Sequence, residues 1–335
     1  MTLRCFLTRT LPAVCILAVL LLCGGCIHPK ITIFPDETEP LKEFTLQGAG
    51  KEKILILSIK GFISDSPRGF LSKSSMVEEI VSQLKKAEKD KEIRAVVLEI
   101  DTPGGSATAS DILYHEIMEY KKCSGARIVA AMMGVAASGG YYVALPADSI
   151  LAHPTTITGS IGVVFLRPNV SGLMNKIGVE VDASKSGKNK DMGSPFRKAT
   201  REEEQIVQNI IDELAGRFMS LATKHRRLND QAREIITSAR IFTAAEALSL
   251  GLVDRIGYLD DAIHEAAKLA GLPEGAKVVV YRRTEYPNDN LYNTNTSSTS
   301  KQGLPKISLI DLGLGDSVTP LRNGFYYLWL PGLDE

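Results

Sequence analysis

The sequence predicts an α/β fold built on a mostly parallel sheet, and three observations carry that prediction. Apolar runs at Ile54–Ile59, Ala95–Ile100 (interrupted only by Glu99) and Ile128–Met133 are near-continuous rather than alternating, as in strands covered on both faces. Between the first two lies helical spacing, with Val77, Ile80, Val81 and Leu84 on one face. The order strand, turn, helix, strand then recurs along the chain, as it does when helices cover a parallel sheet. With 335 residues, 44% of them hydrophobic, there is material for a sizeable core. Basic and acidic residues balance at 39 each, so charge points to no nucleic-acid or acidic partner.

The first 25 residues read as an address rather than as fold. Arg4 and Arg9 form a basic start, Leu11–Leu22 a short apolar stretch, and Gly24-Gly25-Cys26 a small-residue end. This is the pattern of a bacterial lipoprotein signal, with cleavage before Cys26 and lipid on its thiol. An uncleaved membrane anchor is the alternative, although the apolar stretch falls short of the roughly 20 residues that span a bilayer. Either way the remainder faces away from the cytoplasm, on the periplasmic side of the cell envelope. Four of the five cysteines lie in or at the end of this address, leaving Cys123 alone, so no internal disulfide and no cysteine zinc site is possible in the body. Residues 26–50 read as a tether, 51–285 as the folded body, 286–303 as a polar linker, and 304–335 as a docking segment carrying Phe325-Tyr326-Tyr327-Leu328-Trp329.

Within the body, helices are expected at about Met76–Lys89 and Ser110–Lys122, and short strands at Ser149–Ala152 and Ile161–Phe165. A helix at Gly172–Ile177 and a strand at Val179–Ala183 precede a polar loop, Ser184–Pro195. Thr200 and Glu203 form a capping box that opens a long helix to about His225. Helices at Leu228–Thr237, Ala244–Ser249 and Leu259–Ala270 and a strand at Lys277–Arg282 complete the body.

Three stretches carry chemistry. In Gly134–Asp148, Gly134 is expected to end a strand, Ser138 to stand where a short helix begins, and Pro146 to close it. A serine there has the free N–H groups of a helix start beside it, and Gly139 and Gly140 leave the backbone open to a substrate carbonyl. A plain N-cap would use the same serine. Pro103-Gly104-Gly105 closes a strand in a tight turn whose N–H groups suit a substrate oxygen; a structural type II turn needs the same residues. A serine nucleophile needs a base. None of the five histidines, His28, His115, His153, His225 and His264, stands in a context typical of a catalytic imidazole. Lys190, in the glycine-flanked loop Ser186–Pro195, is the other choice, and its amine must be largely neutral to serve, which burial against apolar groups favours.

The residues Asp101-Thr102-Pro103-Gly104-Gly105-Ser106, Ala137-Ser138-Gly139-Gly140-Tyr141-Tyr142, Thr158-Gly159-Ser160-Ile161-Gly162 and Lys190-Asp191-Met192-Gly193-Ser194-Pro195 together resemble the signal peptide peptidases of the SppA type, from about Ile54 to Val280. The resemblance implies a Clp-protease/crotonase-like fold of repeated ββα units with a helical C-terminal part. It implies Ser138 as nucleophile, Lys190 as general base, Ser160 as the hydroxyl that holds the lysine amine, and the N–H groups of Gly105 and Gly139 as an oxyanion hole. The expected protein is a membrane-anchored serine endopeptidase that cuts apolar, signal-peptide-like peptides and needs no metal or other cofactor. Some relatives carry two copies of this body with the serine in one and the lysine in the other, which implies a homo-oligomeric ring whose dyad is shared between subunits. A crotonase-type acyl-thioester enzyme and a non-catalytic scaffold lipoprotein are the rival readings.

Overall fold

The computed structural model describes residues 39–67, 74–273, 275–293 and 324–329. The signal, Cys26, the start of the tether and most of the docking segment lie outside them. The chain opens with β1 (Lys42–Gln47) and β2 (Lys53–Lys60), then α1 (Met76–Glu88). Ser75 starts that helix: its hydroxyl accepts from the Glu78 N–H at 3.1 Å while the Glu78 carboxylate accepts from the Ser75 N–H at 2.8 Å. Next come β3 (Ile93–Thr102), β4 (Gly104–Ser106), α2 (Ala107–Ser124), β5 (Arg127–Ala137), α3 (Gly139–Ala144), β6 (Ser149–Ala152), β7 (Ile157–Gly159) and β8 (Val164–Leu166). The second half holds α4 (Ser171–Ile177), α5 (Arg201–His225), α6 (Asp230–Thr237), β9 (Ile241–Thr243), α7 (Ala244–Ser249), β10 (Arg255–Ile256), α8 (Leu259–Ala270) and β11 (Lys277–Arg282). A last strand, β12 (Gly324–Leu328), follows.

The main sheet runs β1-β11-β2-β3-β5-β6-β10, with β7 joining β5 to β9. Its central pairs are parallel; β1 with β11 and β7 with β9 are antiparallel. Continuous apolar strands make sense in this setting because successive side chains serve opposite faces. Leu55, Leu57, Val96 and Leu98 face the larger core, with α1, α2 and α3. Ile54, Ile56, Ala95 and Val97 face the other, against Leu259, Ile263 and Ala266 of α8.

Several expectations need correction. The tether reading fails for Lys42–Gln47, which forms β1 on the sheet edge. Val179–Ala183 is no strand: among the described residues no neighbour pairs with it, and Val179 and Val181 are about half exposed. The strand expected at Ile161–Phe165 forms only at its end: β7 stops at Gly159, and β8 begins at Val164. Pro103-Gly104-Gly105 is not an isolated turn, since Gly104–Ser106 pairs as β4. Gly134 does not end its strand, because β5 runs on to Ala137.

That last difference positions the site. Ile100 pairs with Met132, but Thr102 pairs with Ala136, so β5 carries two extra residues opposite Asp101. Part of the bulge's polar backbone is paired by side chains: the Val135 N–H donates to Asp101 Oδ1 at 3.0 Å, and the Thr156 hydroxyl is shared between the carbonyls of Met132 and Met133 at 2.9 and 2.5 Å. On its other edge, away from β3, β5 pairs with β6 before the bulge and with β7 after it.

Candidate active site

Ser138 stands at the junction of β5 and α3 with φ 54° and ψ −115°, a left-handed conformation that costs a residue with a Cβ about 1–3 kcal/mol. Surrounding bonds hold it there. Its N–H donates to the Gly159 carbonyl at 2.8 Å, and its carbonyl accepts from the Tyr142 N–H at 2.9 Å, closing the first turn of α3. It occupies the N-cap position, yet its side chain makes no capping bond. The residue is 1% exposed, and its hydroxyl oxygen is buried with no hydrogen-bond partner among the described residues. Buried hydroxyls are normally paired, so this one is held for something other than stability.

The neighbouring glycines are needed for space. A Cβ on Gly140 would lie 2.8 Å from the Thr102 carbonyl oxygen, and one on Gly139 2.5 Å from Ser110 Oγ. Gly104, at φ 102°, is so close that its Cβ would lie 2.8 Å from the Gly139 nitrogen. β4 is fixed on one side by Ile63, whose N–H donates to the Gly104 carbonyl and whose carbonyl accepts from the Ser106 N–H, both at 2.9 Å. Gly105, between them, therefore turns its own N–H and carbonyl the opposite way.

Ser160 joins the group through the sheet. The parallel register pairs Ala137 with Gly159, so Ser138 and Ser160 are the next residue on each strand. Both leave the ladder with a positive φ, 54° and 50°, and the Ser160 N–H is tied to the Arg240 carbonyl at 2.9 Å. The structure thus gathers Ser138, Gly139, Gly104, Gly105 and Ser160.

Lys190 is not gathered with them. It is exposed, in a turn closed by its N–H on the Gly187 carbonyl at 3.1 Å, and makes no hydrogen bond to Ser138. Its loop is secured through Arg197 and Lys185, for which the sequence pattern carries no signal. Arg197 reaches Asp191 at 2.8 Å on one side and Glu203, at the start of α5, on the other. Lys185 adds a 2.6 Å bond to Asp191. The Arg197 guanidinium pulls the Glu203 carboxyl down to about 2, helped by the Thr200 N–H, and holds Asp191 well below the usual carboxylate range. The capping box at Thr200 and Glu203 was legible; that its carboxylate also anchors a loop was not.

The histidines have other occupations. His225 shares a 2.8 Å hydrogen bond with the Tyr114 hydroxyl, and burial lowers its pKa. His153 bonds Thr155, while His115 and His264 are exposed. His28 lies outside the described residues. A surface hollow of about 340 Å³ lined by Asn229, Gln231, Ile235, Arg240 and Glu246 does not include Ser138.

The chain matches the family model for peptidase family S49 over residues 121–273 and that for Clp protease over residues 70–156. A protein of Enterococcus faecium named for the signal peptide peptidase SppA is 35% identical over 259 residues, which is 77% of this chain and 73% of that one. Protease 4 of Haemophilus influenzae is 31% identical over 81% of this chain, which spans only 43% of that longer protein. A solved structure of a membrane-bound stomatin-specific protease overlaps 65% of this chain and 86% of its own, with 21% identity and a TM-score of 0.41. The family match runs through the serine junction, the Ser160 turn and the lysine loop alike: the chain belongs to peptidase family S49 and is a serine protease.

Proposed function

We propose that this protease is a lipid-anchored endopeptidase of the cell envelope in which Ser138 and Lys190 form the catalytic dyad. The observation that carries the reading is the Ser138 hydroxyl, buried, unpaired and held at a positive φ beside the Gly139 N–H. Ser138 Oγ attacks the peptide carbonyl while Lys190 takes its proton. The N–H groups of Gly105 and Gly139 receive the developing oxyanion. The leaving amine takes the proton, an acyl-enzyme remains, and water activated by Lys190 releases it. Ser160 holds the lysine amine.

Two observations support completion of this dyad between subunits. Lys190 is exposed, whereas a neutral amine base requires burial. The segment carrying it, residues 171–196, also exposes Leu173, Ile177, Val179, Val181 and Phe196, and α4 buries none of its residues. An apolar patch of that kind suits a neighbouring copy. A head-to-tail ring would bring the lysine loop of one subunit to the serine of the next and bury both. The domain division stands in the same position: a signal at 1–25, a lipid on Cys26, a peptidase body reaching 285, a linker to 303, and a docking segment. Apolar peptides, such as signal peptide remnants left in a membrane, are the substrates an enzyme anchored there would meet.

Labelling with a serine-directed fluorophosphonate tests the nucleophile. Wild-type protein should take up label and Ser138→Ala should not; label retained in Ser138→Ala would move the chemistry elsewhere.

A further inference from the structure

The two arms of the proposed site leave the sheet on neighbouring strands. β3 runs on through Pro103 to Gly104 and Gly105, which bring one oxyanion donor, and β5 runs on to Ser138 and Gly139, which bring the nucleophile and the other donor. Productive chemistry needs such groups held to within about 0.5 Å of one another. From Ala95–Arg127 to Ile100–Met132 the ladder does this, since each residue of β3 has its partner on β5. Above that point a single pair remains, Thr102 with Ala136. Between the two stand Asp101 on β3 and Met133, Gly134 and Val135 on β5. The regular ladder fails where the arms begin.

Asp101 closes this gap with its side chain. Oδ1 accepts the Val135 N–H at 3.0 Å, so the carboxylate takes the place of the carbonyl that a regular parallel ladder would offer. The Asp101 backbone is committed elsewhere: its carbonyl accepts from the Gly61 N–H at 3.0 Å. Thr156 secures the bulge from the β7 side, through the carbonyls of Met132 and Met133, and Asp101 is the tie toward β3. Core packing does not cover the apex, since Met133 and Val135 are half-buried and Gly134 is exposed. Nor does charge explain the carboxylate: Lys60 is the register partner of Asp101 on β2, yet among the described residues Asp101 forms no ion pair. Beyond the tie both arms are stiff. The Gly104 N–H donates to Thr102 Oγ1 at 3.0 Å, Ile63 brackets Gly105, and Ser138 is clamped to Gly159 and Tyr142. Stiff arms carry an offset at their root through to the reacting atoms.

We propose that Asp101 is a positioning residue of this protease: by standing in for a backbone carbonyl beneath the β5 bulge, it sets the spacing between Ser138 and the Gly105 N–H. This rests on Ser138 being the nucleophile and Gly105 an oxyanion donor. Asp101 makes no bond to Ser138 and acts through Val135, three residues before the serine, while itself lying four residues before Gly105. What the site asks of it is an acceptor at Oδ1. Asparagine offers the same carbonyl oxygen without the charge, and alanine offers none.

The test follows fluorophosphonate labelling of the full chain against reagent concentration, which separates the maximum rate of phosphonylation from the half-saturating concentration. Asp101→Ala should lower the maximum rate about 100-fold, as a displacement of about 1 Å does, and leave half-saturation within about twofold of wild type. Asp101→Asn should recover most of the rate. Amide exchange at Val135 should quicken in Asp101→Ala and stay slow in Asp101→Asn. A wild-type maximum rate in Asp101→Ala overturns the proposal, as does a loss that lies wholly in half-saturation. A loss in Asp101→Asn as large as in Asp101→Ala overturns it too, because charge would then be what matters. Should Asp101→Ala not fold, Asp101→Glu decides: it keeps the charge and the acceptor but adds a methylene, so labelling should slow while the melting temperature holds, and a full rate overturns the proposal. If Ser138→Ala takes no label and the Asp101 variants all label at full rate, this inference fails and the peptidase reading stands. If Ser138→Ala keeps the label, both fail.

Discussion

The two halves of the proposed dyad live in opposite surroundings. Ser138 is enclosed: 1% exposed, clamped by backbone bonds to Gly159 and Tyr142, and backed by the fully buried helix α3. Lys190 sits on a loop that buries little and is tied down by ion pairs through Arg197, Asp191 and Lys185. Packing holds the first half, and it tolerates backbone strain because the core over-determines it. Charge holds the second half, and its exposed apolar side chains are still without cover in the single chain. A nucleophile needs fixed geometry, whereas a base that acts only after assembly needs a surface that a neighbour can complete.

The largest expected effects test whether both halves belong to one site. Ser138→Ala and Lys190→Ala should each reduce peptide hydrolysis by several orders of magnitude. Lys190→Ala should leave the melting temperature unchanged, because the side chain is exposed. His115→Ala and His153→Ala should keep most activity; loss in either one alone would remove the lysine from its role. If the dyad is shared, mixing inactive Ser138→Ala and Lys190→Ala subunits should restore roughly a quarter of the sites, since one random neighbour pair in four joins an intact serine to an intact lysine. No recovery after subunit exchange would confine the dyad to one chain. Activity should also climb with pH through the range in which an amine loses its proton, and a profile already flat from mildly acidic pH would contradict an amine base.

A smaller effect separates the loop from the core. Glu203 has its pKa depressed from 4.5 to about 2 in the folded protein, so its contribution is complete above the ordinary value and disappears as pH falls through the depressed one. Amide exchange in residues 185–200 should therefore rise between about pH 4.5 and 2 ahead of exchange in β2, β3 and β5. Uniform loss of protection would mean that the loop is part of the core unit. The smallest effect concerns strain. Ser138→Gly relieves the positive φ and removes an unpaired buried hydroxyl, so the melting temperature should rise, by about 2–4 °C for each kcal/mol recovered. A fall would show that the serine side chain packs usefully.

The core strands were legible because β2, β3 and β5 are apolar on both faces, a pattern that loops do not share. The start of α5 was legible because a capping box is local chemistry, complete within Thr200–Glu203. What escaped depends on partners distant in sequence. β1 is a strand only because β11 offers an edge, and Val179–Ala183, with a similar alternation, joins no edge among the described residues. The serine junction could be placed by its glycines. Its strain could not, because Ser138 owes its φ to the Gly159 carbonyl and the β7 pairing. Nor could the sequence show that an aromatic tail would lie along β4, since Tyr327 is far from Gly105 in the chain.

The bulge in β5 makes the serine's placement a matter of phase. Over Val129–Met132 the strand gives one edge to β6, and over Val135–Ala137 it gives that edge to β7. Removing one residue between 133 and 135 would shrink the bulge and disturb the bend that re-aims the strand before Ser138. Removing two would erase it, leaving Ala136 opposite Thr102 in an unbroken ladder without the step that passes the edge from β6 to β7. Gly134 and Met133 can therefore accept new side chains more easily than a new spacing. Gly134 is exposed, and a Cβ there would meet only Asp101, at 3.2 Å. In this segment it is length, ahead of residue identity, that keeps the protease a protease.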